Sequence, residues 1–120
     1  MAARVSSVVF DCADPHRLAR FYAELLGMRV TRVDGDWIDI GDGAGARLSF
    51  QHAPDHRPPR WPDPAFPQQI HLDIAVDTPG DAAALEEKIL ALGARRLPSE
   101  EDGFRVYADP AGHPFCVGWE

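Results

Sequence analysis

Cysteine is scarce in this 120-residue chain: Cys12 and Cys116 are the only two, near opposite ends. Two thiols do not make a disulfide framework, and neither belongs to a CxxC pair. A reducing, cytoplasmic compartment is the expectation. Basic charge is also short. Lys and Arg total 12 against 19 Asp and Glu, for a net charge of -7. An acidic balance excludes the basic stripe that a nucleic-acid groove needs, so no nucleic-acid partner is expected. Lys88 is the sole lysine, a compositional habit with no chemistry attached. No apolar run approaches the length that spans a bilayer. The opening MAARVSS lacks the apolar core of a signal peptide, so no membrane association is expected. What is present is a 45% hydrophobic content, enough for a real core in one domain or in two small halves.

The most informative stretch is Gln69–Asp77, QIHLDIAVD. Ile70, Leu72, Ile74 and Val76 alternate with His71, Asp73 and Ala75, the period of a half-buried strand. A similar strand opens the chain at Arg4–Cys12. Asp14-Pro15 then starts a helix, with Asp as N-cap and Pro at the first helical position. Leu18, Phe21, Tyr22, Leu25 and Leu26 form its apolar stripe, and Gly27 ends it. Three short strands follow at Met28–Val33, Trp37–Ile40 and Ala46–His52. Asp34-Gly35 and the Gly41–Gly45 loop turn between them. No Lys-Ser or helix start follows those glycines, which argues against a phosphate cradle.

Ala53–Pro67 has six prolines in fifteen residues and reads as a stiff connector. Its Trp61 and Phe66 either pin it to the body or make it a lid. The pattern then repeats. Gln69–Asp77 is followed by a helix capped by Thr78, with Pro79 at its first position and Ala82, Leu85, Ile89 and Leu92 inward. Gly93 ends the helix. Short strands follow at Ala94–Pro98, Phe104–Ala108 and Pro114–Trp119. Each half is strand, helix and three strands. The expected fold class is therefore α+β, two tandem βαβββ modules (1–52 and 68–120, joined by 53–67).

Alternation also gives an inventory of the face left free once the aliphatic faces go under the helices. It holds Ser7, Val9 and Asp11; Trp37 and Asp39; Arg47, Ser49 and Gln51; His71 and Asp73; and Cys116. Such polar groups with an apolar wall suit a ligand site, and they also suit a plainly wet sheet face. His71 is a candidate general base, with Asp73 or Asp11 setting its tautomer. A Cys116–His71 nucleophile needs space to bring the two together.

The first strand with DPHRLARFYAELLG (Asp14–Gly27), the strand QIHLDIAVD and the terminal DPAGHPFCV (Asp109–Val117) resemble the vicinal oxygen chelate superfamily. That superfamily includes glyoxalase I, extradiol dioxygenases and bleomycin-resistance proteins. The closest likeness is to its compact glyoxalase-like domains. The resemblance implies sheets curled around a cleft, with helices outside. It also implies metal-ligand positions on the first and last strand of each module, which fall on Ser7, near Ser49, on His71 and on Cys116. Metal-dependent members carry His, Gln or Glu there. Serine hydroxyls are poor ligands for a divalent metal, so no cofactor is expected. If a metal binds, His71 and Cys116 are its ligands, with Gln51 or Asp11 as substitutes for the serines.

Two functions of different class follow. One is a metal-free module that binds a small organic molecule between its halves, with Ser7, Asp11, Trp37, Arg47, Ser49, Gln51, His71, Asp73 and Cys116 lining the cleft. The other is a metal-dependent lyase, isomerase or dioxygenase using His71. The resemblance also implies a homodimer, for which Trp119 and the Trp61 loop are interface candidates.

Overall fold

The structure is a computed structural model that describes residues 4–45 and 47–119. It divides into two compact units, Met1–His56 and Arg57–Glu120. The first contains β1 (Ser7–Cys12), α1 (Pro15–Leu26), β2 (Arg29–Asp34), β3 (Trp37–Gly41) and β4 (Arg47–His52). The second contains β5 (Leu72–Ala75), α2 (Pro79–Ala91), β6 (Arg95–Leu97), β7 (Phe104–Ala108) and β8 (Pro114–Gly118). Each is a four-stranded mixed sheet, in the order β1-β4-β3-β2 and β5-β8-β7-β6. The fold is α+β, and each unit is one βαβββ module. Among the described residues no helix is long and apolar enough to cross a membrane.

The two helices start as their sequences dictate. Asp14 Oδ1 accepts from the Arg17 amide at 3.1 Å, and Thr78 Oγ1 from the Asp81 amide at 3.0 Å. Each cap satisfies one of the amides that a helix start leaves unpaired. Pro79 and Pro15 follow the caps, where a missing N–H costs nothing. Gly27 closes α1 in the left-handed region at φ 65°, a conformation that a side chain disfavours.

In the first module the helix-facing side is aromatic. The rings of Phe10, Tyr22 and Phe50 lie with centroids 5.3–5.9 Å apart, and Leu18, Ile38 and Ile40 close around them. The second module puts Tyr107 on Phe115, stacked at 5.4 Å. Helix α2 covers this face with less than its expected stripe. Ala82 and Ile89 are buried, whereas Leu85 and Leu92 are only half-buried. A polar contact adds to the attachment of α2. Glu86 accepts from the Tyr107 hydroxyl at 2.9 Å, from Arg96 at 3.0 Å, and pairs with Arg105 at 3.3 Å. Burial, with the Glu86 carboxylate beside it, pushes the Tyr107 phenol up from its ordinary value.

Four strands are shorter than their alternation predicts, β8 by one residue, ending at Gly118 and not Trp119. The opening strand begins at Ser7, not Arg4, β6 covers only Arg95–Leu97, and β5 covers only Leu72–Ala75 of Gln69–Asp77. The last has a physical cause. β5 is an edge strand whose only neighbour is β8, with Leu72 opposite Phe115. Carried one step back, that register would set His71 against Pro114, which has no N–H to donate to a ladder. Ala46, expected to open the fourth strand, lies outside the described residues.

Removing the two ends of the Tyr107–Glu86 bond should have unequal effects. Glu86→Ala strands a buried hydroxyl and should cost about 1–3 kcal/mol, while Tyr107→Phe removes the donor itself and should cost about 0.5–1.5 kcal/mol. Urea midpoints of the two variants, at unchanged m-value, measure the difference.

Candidate functional site

Register places the polar side chains of the first module on one face. Ser7, Val9 and Asp11 on β1 stand opposite Arg47, Ser49 and Gln51 on β4, and Asp39 and Trp37 on β3 stand opposite Ser49 and Gln51. This is the grouping that alternation predicts. The structure adds how these groups are used. Asp39 is only 2% exposed. Its Oδ1 accepts from the Trp37 indole at 2.8 Å and from the Ser49 hydroxyl at 2.5 Å, with Arg47 Nε 4.0 Å from Oδ2. A buried polar group needs such partners in place of the water it has lost. Ser7 and Ser49 share a hydrogen bond, and Gln51 donates to Asp11 at 2.6 Å. Trp37, placed on this face by alternation, donates its indole N–H to Asp39.

The second module has a different face. Asp73 stands opposite Cys116, and Ala75 opposite Gly118, which is itself opposite Phe104. His71 Nε2 lies 3.2 Å from Asp73 Oδ1, so Asp73 is the carboxylate that orients the imidazole; Asp11 is engaged by Gln51. The His71 side chain is 39% exposed and that of Asp73 80%. A cavity of about 470 Å³ opens here, with His71, Asp73, Phe104 and Cys116 in its wall and Gly118 in its floor.

Alternation missed an apolar part of this face. Leu97, Val106 and Ala108 form a buried cluster, with Trp61, Phe104 and Cys116 packed against it. Val106 and Ala108 alternate with Arg105 and Tyr107, so the pattern was visible; which side faced the helix was not. The connector's Trp61 is therefore pinned. Arg60 N donates to Phe66 O at 2.9 Å, and the Arg60 guanidinium lies 4.4 Å from the Phe66 ring centre. These contacts close the segment on itself.

The thiol of Cys116 is pushed up from 9.0 to about 11, first by burial and then by the charge and hydrogen bonding of Asp73. Space does bring Cys116 and His71 together, while the raised thiol disfavours the ionised form that a nucleophilic pair needs. At neutral pH this sulfur stays protonated, and the thiolate is the nucleophile.

The four positions that the resemblance assigns to metal ligands fall apart into two cases. Ser7 and Ser49 are bonded to each other, and Ser49 donates to Asp39. Neutral hydroxyls so engaged do not suit a divalent metal. In the second module His71, Asp73 and Cys116 each bring a ligand atom within 4.8 Å of the others. Imidazole, carboxylate and sulfur are a donor set that zinc accepts. Asp73 was not among the metal ligands expected from sequence; its place two residues after His71 on one strand face was the available signal.

A scan of family models matches a glyoxalase-like domain over residues 7–118. Solved structures superpose over nearly the whole chain. A glyoxalase/bleomycin resistance protein/dioxygenase family enzyme from Burkholderia phytofirmans is 17% identical, with a TM-score of 0.77 and 96% of this chain and 97% of that one covered. A protein described as a possible glyoxalase from Bacillus cereus is 13% identical, with a TM-score of 0.74 and coverage of 98% and 99%. A fosfomycin resistance protein from Mesorhizobium loti is 14% identical, with a TM-score of 0.74 and coverage of 100% and 94%. No curated protein matches the chain.

Alkylation should report the state of Cys116. Its rate should stay low at neutral pH and rise toward a midpoint near 11, where the folded protein loses the proton. Cys12 is fully buried and should not react in the folded protein. Asp73→Asn removes a charge that opposes the thiolate, so it should lower that midpoint and speed alkylation at fixed pH. The same shift has a stability consequence. The unfolded thiol ionises near 9.0, below the folded one, so this contribution is present below pH 9 and is lost as pH rises through about 11.

Proposed function

The chain belongs to the glyoxalase-like domain family, within the vicinal oxygen chelate superfamily, and from that premise we propose that it binds a small organic molecule on the open face of its second module, without a permanently resident metal. The observation that carries the reading is the cavity of about 470 Å³ bounded by the His71–Asp73 pair and the Phe104 side chain. Ligand cavities commonly hold roughly 300–1,000 Å³ and combine an apolar wall with a few polar groups. His71 is the residue assigned to touch the ligand, by hydrogen bond or as base, with Asp73 holding its ring. In the first module, Asp39, Ser49 and Trp37 are occupied with one another. Arg47 and Asp11 are exposed on that face, Arg47 donating to Ser6 and Asp11 accepting from Gln51.

A second reading rests on one observation, the mutual approach of His71, Asp73 and Cys116. These three would hold a divalent metal, which supplies Lewis-acid chemistry when bound. The raised thiol makes such binding pH-dependent, because the Cys116 proton must leave first. That proton works against metal occupancy at neutral pH.

Elemental analysis of protein purified without a His-tag separates the readings. The proposal expects no stoichiometric metal; one metal per chain, lost in His71→Ala, would install the metal-dependent reading instead. A fragment screen read by amide NMR should give hits that move His71, Asp73, Phe104 and Cys116. His71→Ala should weaken those hits by about three- to tenfold, the worth of one hydrogen bond. Its unfolding midpoint should stay near that of the parent, since a half-exposed side chain has little core to lose. Unfolding of this variant would make His71 a structural residue.

A further inference from the structure

The cavity of the second module has a charge of one sign. Its wall holds the carboxylates of Asp73 and Asp102, and among the described residues that line it there is no lysine or arginine. The two acids stand on opposite sides of β8, Asp73 on β5 and Asp102 two residues before the first position of β7. Between them runs an apolar trough, the ladder row Ala75–Gly118–Phe104. Gly118 leaves the middle of that row without a side chain. A Cβ added there would stand 3.6 Å from the Phe104 Cβ and 3.5 Å from the Gly103 carbonyl oxygen, ordinary contact distances. The hollow therefore exists because position 118 is glycine and its neighbour Ala75 is small, and a larger residue at 118 would fill it.

We infer that the ligand of this cavity is an organic cation, a protonated amine carried on a flat apolar body. The inference rests on the binding reading above and adds the ligand class. The apolar body fits over Gly118 and against Phe104. The ammonium group is placed at Asp102 and the neighbouring backbone, beyond the end of the trough, and Asp73 adds negative charge from the far side of β8. An anionic ligand meets the same two carboxylates, and the basic group among the described lining residues, the His71 imidazole, already faces Asp73. A cavity of about 470 Å³ is far larger than a bare metal ion requires, so the two carboxylates have room for a molecule.

Three probes of nearly one shape test the ligand class: benzylamine, benzyl alcohol and benzoate. Each is titrated into the full chain with a metal chelator present, and the amides of His71, Asp73, Gly103, Phe104, Cys116 and Gly118 are followed by NMR. Benzylamine should bind about tenfold more tightly than benzyl alcohol, and benzoate should bind most weakly, since a charge-assisted hydrogen bond is about twice as strong as a neutral one. Added salt should weaken benzylamine selectively. Asp102→Asn, on an exposed loop, should lower benzylamine affinity and leave benzyl alcohol unchanged. Gly118→Leu should abolish both. If benzoate or benzyl alcohol binds at these amides as tightly as benzylamine, the cation inference is overturned while the binding site stands. If none of the three moves these amides at millimolar concentration, the binding reading fails and the inference with it.

Discussion

In each module the first strand lies parallel to the last, at one edge of the sheet. That pairing decides what either face can hold. In the first module it sets Ser7, Val9 and Asp11 beside Arg47, Ser49 and Gln51. In the second it sets Asp73 beside Cys116 and Ala75 beside Gly118. A slip of one residue would send each set to the helix side and bring Phe50 or Phe115 out. The aromatic rings under the helices oppose that slip, because Phe10, Tyr22 and Phe50, like Tyr107 and Phe115, have their partners only in the observed register. The hydrophobic layer thus holds the polar layer in position.

The two modules use the same framework for different chemistry. In the first, the face away from the helix is a closed polar network centred on Asp39. Trp37 and Ser49 donate to Asp39, and Ser7 hydrogen-bonds to Ser49. In the second, that face is split between an apolar cluster covered by Trp61 and an open cavity beside it. The glycine at 112 helps to seat the connector that carries this tryptophan. Gly112 has φ +94°, and an added Cβ would come within 2.6 Å of Pro58. The proline-rich segment is thus pressed onto the turn between β7 and β8. Duplication of a module preserves strand order and helix position; it does not preserve what projects from the free face.

Membership of the family does not choose among its chemistries. Structures that share this fold at under 25% identity include one described as a fosfomycin resistance protein and one described as an oxidase. The fold is common to them, and function belongs to the side chains of the site. In this chain the second module sets His71 beside Asp73 and Cys116, next to a cavity that Gly118 helps to line.

Local order was legible in the sequence because its causes are local. Asp14-Pro15 and Thr78-Pro79 predict helix starts by capping, Gly27 predicts a stop by its φ, and strict alternation sorts the strand faces. The same alternation correctly grouped His71, Asp73 and Cys116 on one side. It could not say that Asp73 would stand beside Cys116, because that contact joins positions more than forty residues apart through β8. Nor could it tell which side of β7 would meet α2. That choice was made by the Tyr107–Glu86 bond and the Phe115 ring on one side, and by Trp61 on the other. The shortening of β5 depends on Pro114, a residue far along the chain that withholds one hydrogen. The sequence by itself determined the elements, their order and the polarity of each strand face, since these rest on propensity and period. Only the tertiary structure decided the cavity, the state of the thiol and the use of the two serines, since each depends on distances between residues that the chain keeps apart.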